Sequence, residues 1–144
     1  MDGGPLLVPQ ESYERQAGLA WVKDIGYACA LACDMKKETD HRAYNAAFEG
    51  VSLRDLIEAI AKVMGVPARM HPRPFAELPP DASPYGPAPR RSAGYVLDRA
   101  RAELGFEPSS LEDALAETLA WYRVAHPSHP GYAHRAKELE LGGV

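Results

Sequence analysis

A chain of 144 residues, 46% hydrophobic and 25% charged, has the composition of a globular domain that can bury roughly two-thirds of its unfolded surface. Its formal charge of −4 offers no basic field to a phosphate backbone, so nucleic acid is not an expected partner. No apolar run is long enough to cross a bilayer and the opening MDGGPLLVPQES lacks the pattern of a secretory signal, so a cytoplasmic protein without membrane contact is expected.

In chain order, "LLV" at 6–8 and "LAWV" at 19–22 read as short strands, the second leading into an alanine-rich helix from Lys23 or Asp24. That helix is expected to end near "DMKKETD", where lysines suit the negative end of the helix dipole. Cys29 and Cys33 stand one helical turn apart, on one face beside Ile25 and Ala32, and are expected to be small reduced core residues. "RAYNAAF" at 42–48 reads as a strand.

Ser52 and Asp55 form a near relative of the capping box. Leu53, Leu56, Ile57, Ile60, Ala61 and Met64 then follow at helical spacing, and Gly65 with Pro67 ends the run. On the opposite face Glu58 and Lys62 are set for an i,i+4 pair.

Between Pro67 and Pro89 lie eight prolines in 23 residues, which excludes long regular structure and leaves room for one short strand in "ARMHP". "GYVLDRARAELGFEP" predicts a helix of about ten residues stopped at Gly105. Ser109 with Glu112 predicts a second capping box, opening a helix that carries Leu111, Ala114, Leu115, Thr118, Leu119 and Tyr122 on one side and ends before Pro127. Residues 1–125 form one expected unit and 126–144 a tail, with a helical turn or two in "YAHRAKELEL". His126, His129 and His134 lie in that tail, but Pro127 and Pro130 break the register a metal site would need, and none is expected. The expected fold class is α/β, or α+β as an isolated piece, with about four helices and two to four short strands.

The order of these pieces is informative. Val22 and Asp24 open a helix, Tyr44 and Asn45 follow in a strand, and Ser52–Gly65 is a serine-capped helix ending in glycine. Asp98, Ala100, Glu103, Leu104, Gly105, Phe106 and Pro108 then match a D-x-x-K-A-x-x-E-L-G-[WF]-x-P pattern, with Arg99 and Arg101 around the place of its lysine. Leu111, Asp113, Leu115, Thr118, Trp121 and Tyr122 match L-x-[ED]-x-L-x-x-T-x-x-W-Y. Over about residues 5–125 the chain resembles the C-terminal, substrate-binding portion of the extended short-chain dehydrogenases, the NAD-dependent epimerase and dehydratase family that acts mainly on nucleotide sugars. The resemblance implies that Arg90 and Arg91, just upstream of the D-x-x-K-A pattern, and Arg15, upstream of Val22, contact substrate phosphates; guanidinium suits such contacts.

Two family features are missing. No glycine-rich dinucleotide turn occurs, and none of the seven tyrosines is followed four residues later by the lysine of the Tyr-x-x-x-Lys pair. Trp21 and Lys23 also replace the histidine and aspartate usual around Val22. The resemblance therefore implies a part that is inactive alone, truncated or completed by a Rossmann-domain partner chain, with self-association as another arrangement. NAD(P) would bind only with that half and no cofactor is expected for this chain by itself. A non-catalytic binding or scaffold protein derived from the same lobe is the alternative.

Overall fold

The computed structural model describes residues 4–35, 40–78, 92–128 and 133–143. Strand β1 (Leu6–Pro9) pairs in parallel with β2 (Met70–Arg73), Leu6 opposite Met70 and Pro9 opposite Arg73. Between them run α1 (Val22–Asp34) and α2 (Leu53–Met64); after them come α3 (Asp98–Leu104), α4 (Leu111–Ala125) and α5 (Arg135–Gly142). Among the described residues, five α-helices and a two-stranded parallel sheet make a small mixed α/β fold.

Local chemistry explains the helix ends. Ser52 Oγ accepts from Asp55 N at 3.1 Å while Asp55 Oδ2 accepts from Ser52 N at 2.9 Å, the full reciprocal cap expected of α2. Gly65 and Gly105 close α2 and α3 in the left-handed conformation, at φ 70° and 64°. The cap of α4 is shifted by one residue from its expected place: Ser110 and Asp113 form it, and Ser109 is engaged elsewhere.

Two small cores follow. Leu97, Ala100, Leu104 and Phe106 pack with Ala28 of α1, and Val8 of β1 packs with Leu53 and Ile57 of α2. Helix α4 lies along α2, and across that contact Lys62 pairs with Glu112, not with Glu58; Glu58 faces Arg54 at 3.9 Å. The edge of β1 turned away from β2 is closed by α5. Leu7 N donates to Glu138 Oε1 at 2.8 Å, and Arg135 Nη1 donates to Pro5 O at 2.8 Å and to Glu138 Oε2 at 2.6 Å. The buried Glu138 thus supplies the acceptor that a third strand would have offered.

The differences from the sequence reading have physical reasons. Residues 42–48 form no strand; their polar side chains instead reach α3 and the segment before it, as described below. Residues 19–21 are likewise irregular, and α1 starts at Val22, one residue earlier than expected. "LLV" and "MHP" form the sheet without either. Cys29 and Cys33 are exposed, because α1 turns Asp24, Ala28, Leu31 and Ala32 inward and leaves the face of Val22, Gly26, Cys29 and Cys33 outside. Lys36 and Lys37, and the proline-rich residues 79–91, lie outside the described residues.

In the tail, α5 supplies about two helical turns, within the turn or two expected. His126 forms the C-cap of α4 and His134 the N-cap of α5; His129 lies outside the described residues. Among the described residues no group of three or more metal-ligating side chains gathers, and no helix is long and apolar enough to cross a membrane.

Candidate functional site

The stretch from Tyr13 to Leu19 is the hub of the molecule. Leu53 N donates to Arg15 O at 3.1 Å, Ala17 N to Val51 O at 2.8 Å, Ala93 N to Gln16 O at 3.1 Å and Phe48 N to Leu19 O at 2.8 Å. Single bridges join Gln16 to Ser52 and Ala17 to Ala93. Glycine permits the approach: Gly18 sits at φ +60°, and a Cβ there would lie 2.8 Å from Ala93 Cβ and 3.0 Å from Ala93 O; one on Gly94 would lie 1.8 Å from Gln16 Oε1.

This junction shapes a recess of about 240 Å³ lined by Gly18, Ala20, Tyr44, Asn45, Ala46, Ala47 and Tyr95. Its polar walls are fixed from behind. Tyr44 donates its hydroxyl to Glu103 Oε2 at 2.8 Å, Arg42 donates to the other oxygen at 2.6 Å, and Asn45 Nδ2 donates to Val96 O at 3.1 Å. Partial desolvation, reinforced by the Glu103 carboxylate, holds the Tyr44 phenol above its ordinary pKa, so it stays a donor. Glu49 accepts from Leu97 N at 2.9 Å and pairs with Arg101 at 2.6 Å; the backbone donor first, then the guanidinium, lower its pKa. Asp24, buried at 6% exposure, accepts from Ser109 N at 3.0 Å and Ser109 Oγ at 2.8 Å, tying α1 to the loop before α4.

Of the sequence-selected phosphate contacts, Arg15 is described and exposed, its main chain fixed to Ser12 and Leu53. Arg90 and Arg91 lie outside the described residues. The chain two residues beyond Arg91 is nonetheless pinned at Ala93 to Gln16, the residue after Arg15. Gly18 and Tyr95, each two residues on from the joined pair Gln16 and Ala93, line the recess. Tyr95 and Asn45, which line it, were not among the selected substrate contacts; Asn45 was legible as part of the Y-N pair, and Tyr95 had no sequence signal.

A second feature lies on α1. Val22 is 77% exposed and Ile25 39%, and with Gly26, Cys29, Ala30 and Cys33 they form an uncharged outward stripe. A Cβ on Gly26 would meet nothing within 4 Å, so no packing within the described residues requires glycine there, although mid-helix glycine costs about 1 kcal/mol against alanine.

No protein-family profile and no curated protein matches this chain. Function is accordingly argued from the site. Among the described residues, α1, α2 and α4 carry Asp24, Asp55 and Glu112 with Asp113 in their first turns. Those carboxylates occupy or repel the position a pyrophosphate would take at a helix N-terminus.

Proposed function

We propose that this chain is the substrate-binding part of an NAD(P)-dependent nucleotide-sugar epimerase or dehydratase-like oxidoreductase of the cytoplasm, completed by a nucleotide-binding half that lies outside this sequence or on another chain. The observation that carries the proposal is the recess lined by Tyr44, Asn45 and Tyr95, which lies beside the junction of Gln16, the residue after Arg15, with Ala93. Guanidinium forks hold a diphosphate through paired charge-assisted bonds, while phenol and amide groups suit the hydroxyls of a sugar.

Residues of the resemblance support it in a second way, since Tyr44 bonds Glu103, Asn45 bonds Val96 O and Asp24 holds Ser109 before α4. The division of labour follows from what the chain lacks. It orients the substrate, whereas hydride transfer and the tyrosine–lysine proton exchange belong to the other half, for which the uncharged stripe of α1 is the proposed contact face. Burying apolar area is what such a face gains from a partner.

Titration calorimetry with UDP-glucose tests the assignment. Saturable binding that requires the diphosphate, weakens in Arg15→Gln and in the Arg90→Gln/Arg91→Gln double variant, and has no counterpart with NAD is the expected result. A stand-alone binding protein is the second reading, favoured by the closure of the β1 edge by α5. It predicts the same titration with no change on adding a nucleotide-binding half.

A further inference from the structure

We propose that Cys29 and Cys33, one turn apart on the outer face of α1, form a two-thiolate site for a soft monovalent ion, Cu(I). Both lie within the regular helix Val22–Asp34 and both are exposed. They share the face proposed above for the nucleotide-binding half, but the site needs nothing from that half.

The helix holds the two thiols in register. Ala28, next to Cys29, belongs to the core cluster of Leu97, Ala100, Leu104 and Phe106, and Leu31, Ala32 and Met35 around Cys33 pack against it. The backbone beneath the pair is therefore anchored on its inner side, and side chains at this spacing are neighbours with Cβ atoms about 5–6 Å apart. Helical side chains lean toward the N-terminus, over the residues three and four before them. For Cys33 those are Ala30 and Cys29, so the second thiol leans toward the first. For Cys29 they are Gly26 and Ile25, and a Cβ on Gly26 would meet nothing within 4 Å. Gly26 and Ala30 thus put no bulk beside the pair.

Geometry limits what can join the sulfurs. A disulfide needs Cβ atoms about 3.5–4.5 Å apart, closer than one turn of regular helix brings them, so the pair does not close on itself without unwinding α1. A metal–thiolate bond is about 2.3 Å long, so one ion between two sulfurs spans up to about 4.6 Å. Chemistry then selects the ion. Thiolates are soft donors that favour soft ions. A structural zinc site is tetrahedral, and among the described residues no third His, Cys, Asp or Glu joins the two cysteines to build one. Cu(I), a closed-shell ion, is satisfied by two thiolates in line. Binding is a ligand exchange in which two S–H bonds break, two Cu–S bonds form and two protons pass to the buffer, with no electron transferred.

Anaerobic titration of the full reduced chain with Cu(I) against bicinchoninate, whose Cu(I) complex is coloured, tests the proposal. The chain is expected to withdraw one Cu(I) per molecule with no change in its sedimentation. Cys29→Ser and Cys33→Ser are each expected to weaken binding at least about 100-fold, the loss of a chelate reduced to one arm. Cys33→Ser combined with Asp34→Cys keeps two thiols at exposed positions but turns one about 100° further round the helix, and is expected to lose as much. No withdrawal of copper, wild-type affinity in either single variant or in the relocated pair, or a mass that doubles on copper binding would each overturn it.

Discussion

Replacing Gly18 with alanine probes the junction on which the site depends. Two costs add. The left-handed backbone at φ +60° costs a residue with a Cβ about 1 kcal/mol. The new methyl also meets Ala93 Cβ at 2.8 Å and Ala93 O at 3.0 Å, contacts with a short side chain and a main-chain atom that cannot swing away, and overpacking of this kind costs roughly 1–3 kcal/mol. Restricting the unfolded chain returns about 0.5 kcal/mol. The net destabilisation is about 2–3 kcal/mol, or a fall of roughly 5–10 °C in Tm for a chain of this size. Gly50→Ala supplies the control, because Gly50 has φ +69° but nothing within 4 Å of the added Cβ; it should lose about 1 kcal/mol or less. Urea melts of both variants, and of Gly18→Ala combined with Ala93→Gly, separate the terms, with the double variant regaining part of the loss. Equal costs for Gly18→Ala and Gly50→Ala would refute the close approach of these segments.

Asp24→Ala removes both acceptors of Ser109 and should cost about 2–3 kcal/mol in urea melts, against about 1 kcal/mol for Ser109→Ala, which keeps the backbone bond. Glu49 and Asp55 both have lowered pKa values, the first through Leu97 N and Arg101, the second through the Ser52 hydroxyl and amide. Their contribution is present above the unfolded carboxylate value near about pH 4 and is lost as pH falls through the folded value. Glu49→Gln and Asp55→Asn should therefore flatten the acid limb of the urea midpoint; an unchanged limb would exclude them as its source. Ellman's reagent should titrate Cys29 and Cys33 in the native protein at rates close to those in denaturant, since both are exposed. Slow native reaction would show the α1 stripe to be covered in the protein alone.

Local signals carried much of the fold. The Ser52–Asp55 cap and Gly65 bounded α2 almost to the residue, and Gly105 ended α3, because each of these features acts within one turn. Non-local choices were illegible. Residues 42–48 have the composition of a strand, yet whether they join a sheet depends on Glu103 and Val96, which capture Tyr44 and Asn45 from more than fifty residues away. The same holds for Ser109, whose spacing to Glu112 mimics a cap but whose hydroxyl is held by Asp24. Cys29 and Cys33 read as core by residue type, since the face of α1 that turns inward is set by Ala100, Leu104 and Phe106 and not by α1 itself. At the site, only the family resemblance points to the arginine segments, whereas Gly18 and Gly94 acquire meaning only once Gln16 and Ala93 meet.

The central claim is that this chain holds the nucleotide-sugar and leaves the dinucleotide to another half. Calorimetry of the purified chain against UDP-glucose and NAD, repeated with Arg15→Gln and with Arg90→Gln/Arg91→Gln, addresses it most directly. Saturable UDP-glucose binding weakened by the arginine variants, with no heat from NAD, is the predicted result. NAD binding without UDP-glucose binding, or UDP-glucose binding indifferent to all three arginines, would contradict it.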